Sequence, residues 1–373
     1  MTRLFGTSEL DGLSSQLRDA FSKPEATFVE TQAVQPLTPY LEFLGEFYRD
    51  TLVEYSSAGQ DEYCLRPDLT LAIAREVAGG ALEPGRLFYD DLVFRGARRV
   101  RLEEAGAFAP LQRQIGIEVF GAQADDAALL LQTVAALKSV GVDDIRIHVS
   151  DVALVCDLID GFELHANWKQ RLKRTVSMPD AFQRVKSAAM GGGGAPSNLS
   201  QALSGLSDEA ARAAVEDIFA MSGLKEIGSR SMADVADRLV AKASEARQPL
   251  NASDADLLAS LMGVEGPFET ALNEFGDLLA DRSKPERIGA LDTLAQDLEA
   301  GGLALDSIRF DADLSRHLSY YDGLIFEIFD ASGEVFLGGG GRYDGLVSSL
   351  SNGVRSVPAI GAMLRPDRIL SIL

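Results

Sequence analysis

Apolar positions along the chain change period several times, and each change predicts an element. Residues 8–22 and 37–55 carry helical spacing, the second as "LTPYLEFLGEFYRDTLVEY". "YCLRPDLTLAIAREVAGG" then predicts a short strand, a turn at Arg66-Pro67-Asp68 and a helix from about Leu69 to Val77. Asp68 suits the helix entry because its carboxylate can accept N–H groups that the first turn leaves unpaired. "RLFYDDLVFRGARR" and "RQIGIEVFG" alternate as strands, joined by a loop around residues 99–111. "DDAALLLQTVAALKSVG" predicts an amphipathic helix ending at Gly141, and "IRIHVS" a strand.

From about 163 to 300 the character shifts to Ala, Ser, Leu and acidic residues, with cap signals such as Ser207-Asp208-Glu209 and no aromatic strand pattern. "MGGGGAPSNLS" at 190–200 predicts a loop. Strands return after Ile308, where "GLIFEIFD", a Ser-Gly turn and "EVFLGGGG" form a hairpin signal, and a helix follows from about Asp344. The expected architecture is a mixed α/β (α+β) domain of residues 1–162 and 301–373, interrupted by a helical insertion at 163–300.

Composition narrows the chemistry. The 373 residues allow roughly two or three domains. A net charge of -21, from 35 Lys+Arg against 56 Asp+Glu, argues against a polyanionic partner. Cys64 and Cys156 are too few and too isolated for a disulfide framework or a zinc site. His148, His165 and His317 never fall at metal-ligand spacing, so no metal or cofactor is expected. The N-terminus lacks the apolar run of a signal peptide, and no stretch approaches the ~18 apolar residues of a membrane span, which predicts a cytoplasmic protein.

The candidate chemistry lies in three places. "GGGGRYDGLV" at 338–347 is no Gly/Ser linker and lacks the spacing of a phosphate loop. Glycines within a strand pattern more often mark close approach of a ligand or a second backbone. On "RQIGIEVF", alternation puts Gln114, Gly116 and Glu118 on one face, a polar shelf suited to an ammonium or an imidazole N–H, or else simply a solvated face. Gly116 favours the shelf, since a solvated face has no need of it. Arg95, with Arg98, Arg99 and Arg101, forms a basic cluster that either grips an anion or balances Glu103 and Glu104. Arg316, Tyr320 and Tyr321 directly precede the glycine-rich hairpin.

As a set these motifs resemble histidyl-tRNA synthetase. "SRHLSYYDG" and "GGGGRYDGL" are similar to that family's two signature motifs, Arg-Gly-Leu-Asp-Tyr-Tyr and Gly-Gly-Arg-Tyr-Asp-Gly-Leu. "LRPDLT" is similar to its Leu-Arg-Pro-Glu-Gly-Thr, while "VFR" with "RQIGIEVFG" and "AIGAMLRPDRIL" look like class II motifs 2 and 3. The resemblance, over about residues 8–370, implies a class II aminoacyl-tRNA synthetase-like antiparallel sheet flanked by helices. It places Asp68 and Thr70 against a bound histidine, Gln114 at its amino group, and Glu118 and Tyr321, with Tyr320 adjacent, beside the imidazole. It also places Arg316 at the carboxylate, Gly339 and Gly340 under the ligand, and Arg95 and Arg368 at a residual nucleotide or anion site.

The departures matter too. Ala97 replaces the motif 2 glutamate, and Arg365-Pro366 stands where motif 3 has its second glycine. His317 and Ser319 alter the first signature, and Leu373 follows five residues after Arg368, where a synthetase continues into an anticodon-binding domain. This combination resembles the ATP phosphoribosyltransferase regulatory subunits, non-catalytic synthetase paralogues. That resemblance implies partnership with a short-form catalytic subunit in the first step of histidine biosynthesis, as a homodimer within a hetero-octamer. It also implies histidine as ligand and neither tRNA nor membrane as partner. The competing expectations are a histidine-activating ligase lacking its anticodon-binding domain, and a scaffold that binds no small molecule.

Overall fold

The structure is a computed structural model, described here for residues 7–22, 25–44, 46–56, 62–96, 111–163, 169–170, 172–173, 203, 205–222, 252–279, 286–314 and 320–373. Ala97, Arg98, Arg99, Arg101, the predicted loop at 190–200, and Arg316, His317 and Ser319 lie outside them.

The chain opens with helix α1 (Thr7–Phe21) and strands β1 (Ala26–Phe28) and β2 (Val34–Pro36). Helix α2 (Leu37–Leu44), a 3-10 turn at Glu46–Thr51, and strands β3 (Val53–Ser56) and β4 (Glu62–Leu65) follow. The helical spacing over 37–55 is therefore only half realised. Val53 and Tyr55 suit a pleated surface, and β3 pairs with β4 from Val53↔Leu65 to Ser56↔Glu62. Next come α3 (Thr70–Gly79), β5 (Arg86–Phe94), β6 (Leu111–Phe120), α4 (Asp126–Ser139), β7 (Ile145–Asp151) and α5 (Val152–Gly161). Both predicted boundaries of α4 have a physical cause. Asp125 accepts the Ala128 N–H at 2.8 Å, and Gly141 takes a left-handed φ of 89° just beyond the end.

The remaining described elements are α6 (Asp208–Ser222), α7 (Ala252–Met262), β8 (Glu265–Pro267), α8 (Phe268–Leu278), α9 (Glu286–Ala300), β9 (Ile308–Asp311), β10 (Leu324–Asp330), β11 (Phe336–Arg342), α10 (Leu346–Leu350), β12 (Ala359–Leu364) and α11 (Pro366–Ile372). The chain forms two compact units, Met1–Leu154 with Val264–Leu373, and Val155–Gly263. In the second unit, α6 buries Ala211 and Val215 while α7 buries Leu258 and Leu261.

Residues 264–300 thus belong to the first unit, although their composition groups them with the helical stretch at 163–300. Strand β8 pairs antiparallel with β9, and Phe268 and Phe275 of α8 pack edge-on against Phe310 at 6.4 and 6.1 Å. A three-residue Glu-Gly-Pro strand carries no alternation to read, so only the pairing reveals it.

The first unit is built on a nine-stranded sheet in the order β1-β5-β6-β12-β11-β10-β7-β9-β8. Every pairing is antiparallel except β1 with β5 and β7 with β9. The β10–β11 hairpin turns as expected at Ser332-Gly333, where Gly333 has φ 82° and Asp330 accepts the Val335 and Glu334 N–H groups at 2.9 and 3.0 Å. On one face of the sheet, α1 and α11 pack on β6, where Ile115, Ile117 and Val119 are buried, and α4 packs on β12. Arg113 ties this layer down, gripping Asp90 of β5 at 2.6 and 2.9 Å and Asp11 of α1 at 2.6 Å. The opposite face carries a core of Leu87, Tyr89, Phe120, Ile325 and Tyr343, closed over by α2, α3, α10 and the separate β2-β4-β3 sheet. The site residues lie in that second layer.

Candidate functional site

Glu118 is the centre of the site. Its carboxylate is fully buried and receives hydroxyl groups from three separate elements. Thr70, at the start of α3, donates to Oε1 at 2.7 Å, and Tyr89 of β5 donates to the same oxygen at 3.3 Å. Tyr343, just after β11, donates to Oε2. Register explains the convergence: Glu118 lies opposite Gly361, which lies opposite Gly341, so all three share the face from which Tyr343 also projects. Burial pushes the Glu118 carboxyl up to about 7; the Tyr343 and Thr70 hydroxyls oppose the rise, and the nearby Asp68 charge adds to it.

Asp68 is the second buried carboxylate. Oδ1 accepts the Leu71 N–H at 2.8 Å, which is the predicted cap of α3, while Oδ2 has no hydrogen-bond partner. Burial raises its pKa, opposed by the Leu71 N–H and by the charge of half-buried Arg95 at the end of β5. Tyr320 and Tyr321 are buried in the same core, their rings 4.8 Å apart and both set against Tyr343 at 5.9 and 6.4 Å. Gln114 is 4% exposed and lies on the Glu118 face, opposite Asp91. The shelf of Gln114, Gly116 and Glu118 is therefore a buried surface and not a solvated one. Arg66, from the same "LRPD" run, is structural: it donates to Leu92 O at 2.8 Å, to Thr31 Oγ1 at 3.1 Å, and to Asp91.

The glycines have protein neighbours. A Cβ on Gly361 would stand 1.7 Å from Glu118 Oε2, and one on Gly116 would stand 2.6 Å from the Tyr89 hydroxyl. One on Gly341 would meet the Tyr321 ring at 2.8 Å. Gly339 shares the Glu118 face through its pairing with Met363, itself opposite Gly116. Gly340, adjacent in the strand, points to the other face, and its Cβ would lie 2.0 Å from the Gly361 carbonyl oxygen. What comes close at 340 is thus the neighbouring strand. In the same motif Arg342 donates to Asp126 at 2.8 Å and to Ala124 O at 2.9 Å, and Asp344 accepts the Ala359 N–H at 2.8 Å. Only the tyrosine of Arg-Tyr-Asp faces the carboxylate.

The structure brings Asp68, Thr70, Gln114, Glu118, Tyr320 and Tyr321 into one layer, with Arg95 acting on Asp68. Arg368 stands apart on α11, which packs against α1, β6 and β11. Arg365 is buried and grips Asp367 at 3.0 and 2.8 Å. Tyr89 and Tyr343 are the hydroxyl partners of Glu118 that sequence analysis overlooks. Tyr343 stands inside the quoted glycine motif, whereas Tyr89 is legible only from its pairing with Gly116. Among the described residues no cluster of three or more His, Cys, Asp or Glu could hold a metal, and no helix is long and apolar enough to cross a membrane.

The chain as a whole has counterparts among known proteins. The sequence profile described as Histidyl-tRNA synthetase matches residues 34–227 and 213–369. An ATP phosphoribosyltransferase regulatory subunit of Brucella anthropi is 28% identical over 382 residues, 97% of each chain. One from Brucella canis is 28% identical over 380 residues, 98% of each. Among solved structures, an ATP phosphoribosyltransferase regulatory subunit/histidyl-tRNA synthetase from Bacillus halodurans superposes with a TM-score of 0.64 at 22% identity, covering 98% of this chain and 79% of that one. A histidine–tRNA ligase subunit from Alicyclobacillus acidocaldarius gives 0.61 at 22% identity, covering 100% and 95%. Those two likenesses show a shared class II fold. Since the profile spans both strand β6, which carries Glu118, and the motif that carries Tyr343, and covers most of the sequence, the chain belongs to the histidyl-tRNA synthetase family.

Proposed function

We propose that this chain is a non-catalytic regulatory subunit of ATP phosphoribosyltransferase. In this reading it joins a short-form catalytic subunit in the cytoplasm, as a homodimer within a hetero-octamer, and serves the first step of histidine biosynthesis. Histidine is its ligand and feedback signal, held by Asp68, Thr70, Gln114, Glu118, Tyr320, Tyr321 and Arg316, with Gly339 beneath.

The observation that carries this reading is the pairing of a kept pocket with an altered one. Two buried carboxylates, one caged by hydroxyls and one with an open oxygen, suit a ligand bearing an ammonium and an imidazole. Arg365, bound to Asp367, fills the place where motif 3 has a glycine beside the nucleotide. The names of the two Brucella relatives support the same assignment over nearly the whole chain.

The chain alone is expected to show no phosphoribosyl transfer from phosphoribosyl pyrophosphate to ATP. Mixed with the short catalytic subunit it should form a stable assembly and raise turnover. Equal turnover with and without the chain would sink the regulatory reading. Pyrophosphate exchange driven by histidine and ATP would instead favour a histidine-activating ligase.

A further inference from the structure

We propose that Tyr343 is a positioning residue of the site: its hydroxyl holds Glu118 Oε2 as an acceptor, in one orientation, beside the lone pair that remains for a ligand's N–H. This rests on the histidine-binding reading and adds to it the residue that keeps the central carboxylate ready.

An ionised carboxylate offers about four lone-pair sites. Thr70 and Tyr89 both donate to Oε1, at 2.7 and 3.3 Å, and so fill that oxygen. Tyr343 donates to Oε2 and leaves one position there. Gly361 keeps Oε2 unobstructed, because a Cβ at that position would stand 1.7 Å from the oxygen. The hydroxyl that shares an oxygen with an incoming donor is therefore that of Tyr343.

That hydroxyl has little freedom. Tyr343 is fully buried, and its ring packs edge-on against Phe120 at 6.1 Å and Tyr320 at 5.9 Å. Its N–H donates to Ala359 O at 2.8 Å. Arg342 before it is tied to Asp126 at 2.8 Å, and Asp344 after it accepts the Ala359 N–H at 2.8 Å. Both polar neighbours are occupied elsewhere, and the phenol alone is held against Glu118. A side chain locked by its own packing can fix the geometry of another.

Fixing matters because the carboxylate can take a proton. On Oε2 that proton would fill the position left for the ligand. A hydroxyl donating to a carboxylate favours its ionised form. Burial works the other way, and the charge of Asp68, itself offset by Arg95, adds to burial. The other ionisable side chains around Glu118 are the phenols of Tyr89, Tyr320 and Tyr321, and burial raises the first two well above the usual phenol range.

Titration calorimetry of L-histidine into wild type, Tyr343→Phe and Tyr89→Phe at pH 7 and pH 8.5 tests the assignment. Taking each variant's loss as a ratio to wild type at the same pH cancels the titration of histidine itself. Tyr343→Phe keeps the ring and removes the donor. It should lose about tenfold in affinity at pH 7 and clearly less at pH 8.5, where Glu118 ionises without that help. Tyr89→Phe gives up a longer bond to the oxygen that is already filled, and should lose less at pH 7. An equal loss for Tyr343→Phe at both pH values would mean that packing and not the acceptor state was disturbed, and would overturn the proposal. So would unchanged affinity, a larger loss for Tyr89→Phe, or failure of Tyr343→Phe to fold, since the hydroxyl would then serve the fold. Wild type that binds no histidine at either pH would remove the histidine-binding reading itself, an outcome distinct from normal wild-type binding with an indifferent variant.

Discussion

Glu118→Gln is expected to weaken histidine binding by about 10- to 150-fold, the equivalent of ~1.5–3 kcal/mol for a hydrogen bond to a charged group. The amide keeps the size of the side chain but loses its charge. It also turns an N–H donor either toward the Tyr343 hydroxyl at Oε2 or toward the Thr70 and Tyr89 hydroxyls at Oε1, all of which donate to the native carboxylate. Calorimetry at pH 8, where the native group is ionised, reads the loss directly. Identical affinities for wild type and variant would mean that the pocket is a relic of the fold.

The same substitution carries a stability signature of known sign. Burial raises the Glu118 pKa from 4.5 to about 7, so the folded state favours the protonated form. Its stabilising contribution is fully present below about pH 4.5 and is lost as pH rises through about 7. The difference is on the order of 3 kcal/mol at ~1.4 kcal/mol per pKa unit. Glutamine cannot ionise. The variant should therefore gain on wild type between pH 5 and pH 8 in urea denaturation without ligand. Parallel pH profiles would show that Glu118 ionises in the native state at no cost, contrary to its burial.

Gly340→Ala should destabilise the protein by ~3 kcal/mol or more, at or above the usual range for overpacking a core. The added Cβ would sit 2.0 Å from the Gly361 carbonyl oxygen and 2.8 Å from Ala362 Cα. Both are backbone atoms in the middle of β12, so no side-chain rotation can make room. Strands β11 and β12 would have to part where both are buried. A thermal melt without ligand measures the effect. If the variant melts like wild type and loses only histidine, then Gly340 underlies the ligand after all and the strand-packing argument fails.

Where a neighbour along the chain supplies the partner, the sequence by itself was enough. Asp68 caps α3 three residues ahead, Gly141 ends α4, and Ser332-Gly333 turns the hairpin. The alternation of β5 and β6 put Gln114, Gly116 and Glu118 on one face without any knowledge of what covers it. The motif set was enough to reach the family and the expected class II fold. Tertiary structure decided what meets that face. Tyr343 reaches Glu118 across 225 residues of chain, and Tyr89 reaches it only because β5 pairs with β6 in one register. It also decided between Gly339 and Gly340. Side chains alternate with period two, so neighbouring glycines face opposite layers, and only pairing with Met363 and Ala362 says which is which. Val53–Ser56 and Glu265–Pro267 became strands for the same reason: their hydrogen bonds go to partner strands that local pattern does not name.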